Sequence, residues 1–487
     1  MTCESRVVRK YLNVFRGGAL AALLAMLSQP VAAGPWLDAG DQRLRHDLQL
    51  LADEGLIHLP MQSWPLPAAD VAYAVNRLSV AQTEDVGAQR ALGRVQARVR
   101  REQRAGVWRS HLEGGLWAEP EPVRSFAAGS REEIQAGIGA ERMGQRFAVR
   151  AQAQWADDPE DGDEWRLDGS YLGAVLGNWM ISLDTLDRWW GPGWDGSLQL
   201  SNNARPFPKL TVQRNYSTPP QSPLLQWVGP WRWTAFLGQL DSNRDPGSPR
   251  VFGARLDTTP LPSLHLGLST TALFGGDGRS ENVSALRDVY TGDADDDGDP
   301  AGYQLTGADI RWALPVIPVA VYGQYAGQSE DGGSAEEDMT LFGIEAARSI
   351  GRRGDTLRVQ IEHADLTDVA GSALYDSDVY DVGYRYRDRG IGHSLAGSRY
   401  GSSEMTSLTA TWVFPDGSSA FVRARSGERA DRAGDPATDF DAYHVGYEQR
   451  LPDGSRWDAV IGWREQAQES NEEDSEWYGG FRIRQNF

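Results

Sequence analysis

Cysteine, lysine and long apolar runs are almost missing from this sequence. The 487 residues include one cysteine, Cys3, and two lysines, Lys10 and Lys209, so nearly all positive charge is arginine. After residue 33 no stretch approaches the ~18 apolar residues that a membrane helix needs, which excludes a helical membrane protein. Because the one cysteine lies near the N-terminus, the remaining chain has no disulfide, thiolate nucleophile or cysteine metal site.

Acidic residues outnumber basic ones, with 68 Asp and Glu against 48 Lys and Arg and a net charge of −20. Nucleic acid is therefore excluded as an expected partner, because phosphate binding requires a basic face. The 54 glycines, 18 tryptophans and 16 tyrosines accompany a mean hydropathy of −0.49. This combination favours a polar-lined β-barrel, in which an alternating pattern dilutes the apolar residues.

Residues 1–33 have the layout of a secretory signal peptide. A basic stretch precedes the short apolar run Gly17–Leu27, and Val31-Ala32-Ala33 offers small residues for cleavage. The basic residues are Arg6, Arg9, Lys10 and Arg16. The segment contains four bases and one acid, so its removal leaves a net charge of −23 on an exported mature chain that lacks Cys3.

Residues 34–106 are predicted to form a small helical segment. Asp41 precedes an apolar face with helical spacing at Leu44, Leu48 and Leu51, and further helices are expected around residues 68–78 and 88–104. Nine acids and nine bases cancel within residues 34–105, so the whole net charge belongs to the rest of the chain. This change in composition predicts a second domain at residues 107–487.

From about residue 108 the apolar residues repeat with a period of two, which indicates β-strands. Three β-hairpins are predicted, each from two neighbouring strands: 133–141 with 146–155, 166–176 with 179–187, and 252–257 with 263–274. Short turns alternate with long acidic connections such as 157–164, 330–338 and 427–439, as in outer-membrane barrels. About nineteen candidate strands can be marked. Both chain ends should lie on the periplasmic side, which requires an even number, so we expect 387–403 or 217–229 to be an irregular, lumen-filling segment.

The last strand, Glu476–Phe487, separates two kinds of side chain. Trp477, Phe481, Ile483 and Phe487 share one parity and suit lipid, whereas the alternate positions are polar. A terminal Phe487 resembles the recognition signal of the barrel assembly machinery. The pattern predicts an all-β transmembrane barrel of about 18 antiparallel strands in the outer membrane, with a small N-terminal periplasmic helical bundle. A soluble propeller is disfavoured, because no repeat of 40–50 residues is present.

The densest group of chemically distinctive residues lies between residues 187 and 206. Indoles, carboxylate, amide and guanidinium groups alternate there with glycine and proline, a composition that suits stacking on sugar faces and bidentate bonds to hydroxyl or carboxylate groups. The candidate glycan-binding residues are Asp187, Arg188, Trp189, Trp190, Trp194, Asn202, Asn203 and Arg205. The alternative is a tight turn whose tryptophans pack a plug or form an aromatic belt.

The same segment resembles the Wzi capsule-assembly family of outer-membrane proteins. The similarity is carried by Trp189-Trp190-Gly191-Pro192-Gly193, by Ser201-Asn202-Asn203-Ala204-Arg205-Pro206 and by Gln213-Arg214. Residues 43–53 and 384–393 resemble other parts of that family. The resemblance implies an eighteen-stranded barrel with a periplasmic helical bundle, acting as an outer-surface lectin for capsular polysaccharide.

Arginines on the predicted strands form a second possible contact surface for an acidic polysaccharide, although pairing with lumen carboxylates is the favoured interpretation. They are Arg146, Arg150, Arg166, Arg311, Arg358, Arg385, Arg387, Arg423 and Arg425.

An acidic run matches the first half of a calcium loop at Asp293, Asp295, Asp297 and Asp299, but Gln304 replaces the bidentate glutamate. A solvated loop is therefore favoured over a Ca²⁺ site. No cofactor is expected.

We expect a non-enzymatic lectin barrel that retains capsular or related extracellular polysaccharide and contacts outer-membrane lipid. The seven histidines are scattered, and no GxSxG or Walker motif is present. The alternatives are a porin or oligosaccharide channel, and an outer-membrane hydrolase or lipid A-modifying enzyme. Residues 41–80 also resemble an S-layer-homology unit, which would bind cell wall.

Overall fold

The computed structural model describes residues 36–121, 123–127, 129–294, 299–329, 337–368, 379–387, 389–396, 403–429, 438–467 and 473–487. The predicted signal peptide lies outside these ranges. In the described part of the chain, no helix is both long and apolar enough to cross a bilayer.

Three helices near the N-terminus form a small module: α1 (Gln42–Asp53), α2 (Ala68–Val75) and α3 (Val86–Glu102). The Asp41 carboxylate accepts a hydrogen bond from the Leu44 N–H at 3.0 Å and so caps α1. Asp85 caps α3 in the same way. The apolar faces of the helices share one buried core, which agrees with the spacing seen in the sequence.

Eighteen antiparallel strands form a closed barrel. In chain order they are β1 (Trp108–Glu119), β2 (Ile134–Met143), β3 (Phe147–Ala156), β4 (Trp165–Arg166 and Tyr171–Leu176), β5 (Trp179–Asp184), β6 (Lys209–Arg214), β7 (Trp231–Gln239), β8 (Arg250–Leu261), β9 (Leu264–Phe274), β10 (Gly302–Ala313), β11 (Val319–Ser329), β12 (Glu337–Ile350), β13 (Asp355–Asp365), β14 (Ser403–Val413), β15 (Ser419–Arg429), β16 (Thr438–Arg450), β17 (Arg456–Ala467) and β18 (Glu473–Asn486). Strand β18 pairs with β1, so the sheet has no free edge. A fourth helix, α4 (Val283–Thr291), lies between β9 and β10.

The barrel has one strand fewer than the nineteen candidates in the sequence. Residues 217–229 contain a 3₁₀ turn at Gln226–Val228, and Arg385–Tyr386 pairs only with Arg389–Gly390, so neither region supplies a barrel strand. The predicted even number is confirmed.

The prediction of one continuous strand over residues 166–176 is wrong. The two parts of β4 both pair with β3, and the chain leaves the ladder between them at Gly169, where φ is +83°. The break places the Asp168 carboxylate 2.8 Å from Arg205 Nε inside the barrel.

Side chains alternate between the two faces of the wall. The outward positions carry exposed apolar residues, including Leu116, Ile138, Phe147, Leu268, Phe342 and Ile461. The inward positions carry fully buried polar residues, including Arg232, Arg255, Arg311, Arg358 and Arg425. An apolar outer band around a polar interior is the arrangement of a barrel embedded in lipid.

The helical module closes the barrel end at which most strands are joined by short turns. Arg43 donates to the Gly417 carbonyl at 2.9 Å, in the turn between β14 and β15. Arg450 at the end of β16 donates to both carboxylate oxygens of Asp41, at 2.8 and 2.7 Å. Arg311 of β10 makes a similar double contact with Asp53 at the end of α1. The module is therefore anchored to the wall by charged hydrogen bonds.

Two connections fold into the other half of the lumen. They are residues 185–208, between β5 and β6, and the described residues 379–387 and 389–396, between β13 and β14. Their apolar side chains join inward-facing residues such as Leu305 and Leu341 in one buried cluster. The lumen is thus filled by the chain itself.

Candidate functional site

Residues 185–208 run from the barrel rim to the helical module and back. At the deepest point Trp189 and Trp190 form a two-residue antiparallel ladder with Trp64 and Ser63. On the return, the Ser201 N–H donates to the Ile391 carbonyl at 3.0 Å. The segment therefore links the two lumen-filling parts of the chain. We call it the inner loop.

The three indoles of the inner loop are covered by protein. Trp189 and Trp190 are 0% exposed and Trp194 is 3% exposed. Trp189 packs edge-on against Phe126 with ring centroids 5.4 Å apart, and Trp190 lies 5.6 Å from Phe236. All three contribute packing in this structure, whereas sugar stacking requires an accessible ring face. Their part in glycan binding stays a prediction.

A carboxylate from the wall holds the turn of the inner loop. Glu362 on β13 accepts backbone hydrogen bonds from Trp194 at 2.8 Å, from Asp195 at 3.1 Å and from Gly196 at 2.6 Å. A Cβ at Gly196 would lie 2.3 Å from the His393 ring, so only glycine fits there. The turn is fixed both by its donors and by the space around it.

The amide and guanidinium groups predicted to bind glycan bond within the protein. Asn202 Nδ2 donates to the Phe126 carbonyl at 3.2 Å, and Asn203 Nδ2 donates to the Gly390 carbonyl at 2.9 Å. Arg188 donates to Asp184 and to Thr211.

The predicted residues Arg205 and Asp187 lie nearer the rim of the barrel. Arg205 donates to Asp168 at 2.8 Å and to Asp161 at 2.6 Å. Burial alone would lower the pKa of Arg205, but these two carboxylates raise it above its usual range. The Asp187 side chain is 31% exposed and pairs with Arg131 at 3.1 Å, so it is the most accessible of the eight candidates.

Asp195 belongs to a buried charge network that the sequence pattern did not reveal. Arg425 donates to its two oxygens at 2.9 and 2.8 Å, and Arg423 lies 3.3 Å away. Glu121 bridges the same two arginines. Burial would raise the pKa of Asp195, but the two guanidiniums lower it well below its usual range. Glu121 and Asp195 are 74 positions apart in the sequence, and no local motif joins them.

The arginines of the predicted strands mostly pair with carboxylates, as favoured from the sequence. The described pairs are Arg150 with Asp38 and Glu141, Arg166 with Glu132 and Asp161, Arg311 and Arg358 with Glu345, Arg387 with Asp163, and Arg423 and Arg425 with Glu121 and Asp195. Arg385 and Arg387 lie in the inner segment 379–387 and not on the wall, which corrects their predicted placement.

A cleft opens beside the rim end of the inner loop. Its lining combines apolar and charged side chains: Leu186, Asp187, Arg188, Leu200, Ser201, Ala204, Arg205, Pro206, Phe207, Lys209, Phe236 and Ile391. Three of the eight predicted residues, Asp187, Arg188 and Arg205, therefore line one cleft together with Phe207 and Phe236, whose side chains are buried.

The acidic run is only partly within the described residues. Asp293 accepts a hydrogen bond from Thr291 Oγ1 at 2.7 Å, while Asp295 and Asp297 lie outside the described ranges. No cluster of three or more potential metal ligands occurs in the part of the chain that the structure describes. The choice between a solvated loop and a Ca²⁺ site stays a prediction.

Comparison with known proteins connects this architecture to a family. The model of the family described as "Capsule assembly protein Wzi" matches residues 121–476. The chain belongs to the Wzi family. The matched range includes the inner loop and most of the barrel, so the resemblance seen in the sequence is confirmed.

A family relative is the "uncharacterized 55.8 kDa protein in cps region" of Klebsiella pneumoniae, 29% identical over 342 residues. The match covers 68% of this chain, and the chain spans 66% of the length of that relative. The solved structure of Wzi from Escherichia coli superposes with a TM-score of 0.80 at 23% identity, covering 93% of this chain and 100% of that one. It is described as an outer-membrane, carbohydrate-binding β-barrel involved in group 1 capsule assembly. The two chains share the fold of a closed β-barrel, which has eighteen strands in this chain.

Proposed function

We propose that this Wzi-family barrel is a non-enzymatic lectin that retains capsular or related surface polysaccharide on the outer membrane. Family membership and the fold shared with a carbohydrate-binding barrel support this proposal. The mature domains are a periplasmic helical segment at 34–106 and a barrel at 107–487, after removal of the signal peptide at 1–33.

The filled lumen is the observation that carries the proposal. The helical module occupies one end of the lumen. The inner loop and the described residues 379–387 and 389–396 occupy the other end. A porin or oligosaccharide channel of this size would instead keep a wide aqueous path. The structure therefore favours a protein that holds polymer over one that passes solutes.

The glycan contact is proposed at the cleft beside the inner loop. Asp187 offers an accessible carboxylate at this surface and Arg205 lies beside it. Phe207 and Phe236 also line the cleft, but they are buried, so sugar stacking on their rings requires the loop to open. We propose that the buried indoles of Trp189, Trp190 and Trp194 act with Asn202 and Asn203 to hold the cleft in shape and to reach the polymer if the loop opens.

Binding of isolated polysaccharide to the purified full-length protein tests this site. Replacing Asp187 by Asn removes an accessible charged acceptor of hydrogen bonds from sugar hydroxyl groups, and we expect about tenfold weaker binding, which corresponds to ~1.4 kcal/mol. Asp157→Asn, on an exposed acidic connection, is the matched control. If a folded Trp189→Ala, Trp190→Ala double variant binds polysaccharide normally, these two indoles contribute only packing.

Two further partners are proposed from the chain end and the outer wall. Phe487 closes β18 and its side chain is exposed, while its N–H donates to the Ser110 carbonyl at 2.8 Å. An accessible terminal aromatic supports recognition by the barrel assembly machinery, and the apolar outer band supports contact with outer-membrane lipid. Deleting Phe487 should slow barrel insertion without changing glycan affinity of the inserted fraction.

A further inference from the structure

The outer wall of the barrel carries a helix at its long-loop end. This helix, α4, begins after Asn282, whose side chain accepts a hydrogen bond from the Ala285 N–H at 2.9 Å. It ends at Gly292, which has the left-handed conformation (φ +70°) that glycine favours. Both ends are thus defined by the local sequence.

The register of β9 shows which face of the barrel α4 covers. Leu273 points inward and belongs to the lumen cluster, so its neighbours Ala272 and Phe274 point outward. These outward side chains are nevertheless buried, because Ala285 and Val289 of α4 pack against them. The helix therefore lies outside the barrel, on the wall.

The surface beside α4 continues into the lipid-facing band. Thr270, the preceding outward residue of β9, lies 2.9 Å from the Tyr290 hydroxyl of α4. Leu268 follows on the same face and is 61% exposed, as is typical of the outward band. On the adjacent strand β10, Ile310 is outward and exposed as well. The helix therefore packs directly on the outward face of β9.

The side of α4 that faces away from the wall exposes one apolar side chain and one guanidinium group. Val283 is 84% exposed, and the Arg287 side chain, one turn later, is 69% exposed. Arg287 also bonds the adjacent Asp288 at 2.8 Å. A helix with an apolar residue and a guanidinium on its free side suits the boundary between acyl chains and head groups. A guanidinium binds phosphate oxygens with bidentate geometry.

We propose that α4 is an interfacial helix that inserts into the head-group layer of the outer leaflet and binds lipopolysaccharide, the phosphorylated glycolipid of that leaflet. Arg287 contacts a phosphate, and Val283 contacts the upper part of the acyl chains. The outer wall then fixes the depth of the barrel in the membrane independently of any glycan bound at the cleft.

A fluorescent label at position 283 tests the location of the helix. Val283→Cys, the single cysteine of the mature variant, carries a polarity-sensitive dye, and Glu160→Cys, on the connection 157–164, is the matched control. In vesicles that contain lipopolysaccharide we expect quenching at position 283 by acyl-chain nitroxides and quenching at position 160 by aqueous iodide. Iodide quenching of equal strength at both positions would overturn the proposal.

Replacing Arg287 by Ala tests the phosphate contact. We expect at least a twofold loss of lipopolysaccharide that remains bound to the detergent-purified barrel, and no loss for Arg352→Ala, an exposed arginine in a short turn. Equal lipid quenching at position 283 in phosphatidylglycerol, phosphatidylcholine and lipopolysaccharide vesicles would overturn the glycolipid assignment. Disulfide-linked dimers of unlabelled Val283→Cys would show that a second copy covers the helix instead.

Discussion

At the scale of single residues, one carboxylate of the barrel wall, Glu362 on β13, holds the turn of the inner loop. Its carboxylate accepts three consecutive backbone N–H groups and also the Tyr322 hydroxyl at 3.0 Å. These donors are buried and too far from water to find another partner. One side chain on the wall therefore fixes the turn that positions Trp194 and Asp195.

Replacing Glu362 by Ala should destabilise the barrel by about 3 kcal/mol, because several buried N–H groups lose their acceptor. Urea unfolding of the barrel in lipid vesicles measures this change. Glu428→Ala, at an exposed position of β15, is the control and should lie within about 0.5 kcal/mol of wild type. A loss below 1 kcal/mol for Glu362→Ala would show that other contacts hold the turn.

His393 should make stability depend on pH. Burial lowers its pKa to about 4, while the unfolded chain binds the proton near pH 6.5. The unfolded state therefore holds more protons between these values, so stability is complete above about pH 6.5 and falls toward pH 4 by about 3 kcal/mol from this group. Unfolding of wild type and His393→Gln at pH 7 and pH 5 measures the effect. Equal losses for both proteins would contradict it.

At the scale of elements, α1 connects the helical module to the wall. Burial would raise the pKa of Asp41, but the guanidiniums of Arg450 and Arg98 lower it well below its usual range. A carboxyl whose pKa is lower in the folded state stabilises the fold above its unfolded pKa, near 3.9, and loses that contribution as the pH falls further. The contact should therefore persist at pH 5 and weaken below pH 4.

Arg450→Ala should loosen the helical module by about 3–5 kcal/mol, because it leaves the buried Asp41 carboxylate without its main partner. Limited proteolysis should then cut within residues 36–104 faster than in wild type, while the barrel strands stay protected. Arg100→Ala, on the exposed side of α3, is the control. Wild-type cleavage rates in Arg450→Ala would show that the module is held mainly by apolar packing.

Most strands and the three N-terminal helices were predictable from the sequence, because a local apolar period encodes them, whereas α4 was not predicted. The helix start at Asp41 and the alternation of the last strand are examples. The composition of the inner loop marked it as distinctive, but its position deep in the lumen was not predicted. Burial of Trp189 depends on contact with Trp64, which is 125 positions away in the sequence. The break in β4 was missed for the same reason, since Asp168 leaves the ladder to bond Arg205.

At the scale of the whole molecule, the distribution of charged residues divides the protein into three zones. The helical segment carries balanced charge, the wall holds paired arginines and carboxylates, and the long connections between strands are acidic. An acidic rim repels a polyanion at long range, but the cleft behind it contains Arg188, Arg205 and Lys209.

A filled barrel should conduct no steady current. Reconstitution in a planar bilayer should show a silent wild type, because the helical module and the inner loop occupy the lumen. Stable open-channel currents at low voltage would favour the porin alternative. Formation of shortened products from purified glycan would favour an outer-membrane hydrolase.

The amount of cell-bound polysaccharide tests retention most directly. A strain that lacks this protein should synthesise as much polysaccharide as its parent but release most of it into the medium, and the wild-type chain supplied in trans should restore the cell-bound fraction. Complementation by Glu428→Ala should match wild type, and complementation by Asp187→Asn should be weaker. Unchanged cell-bound polysaccharide in the deletion strain would contradict the proposed function.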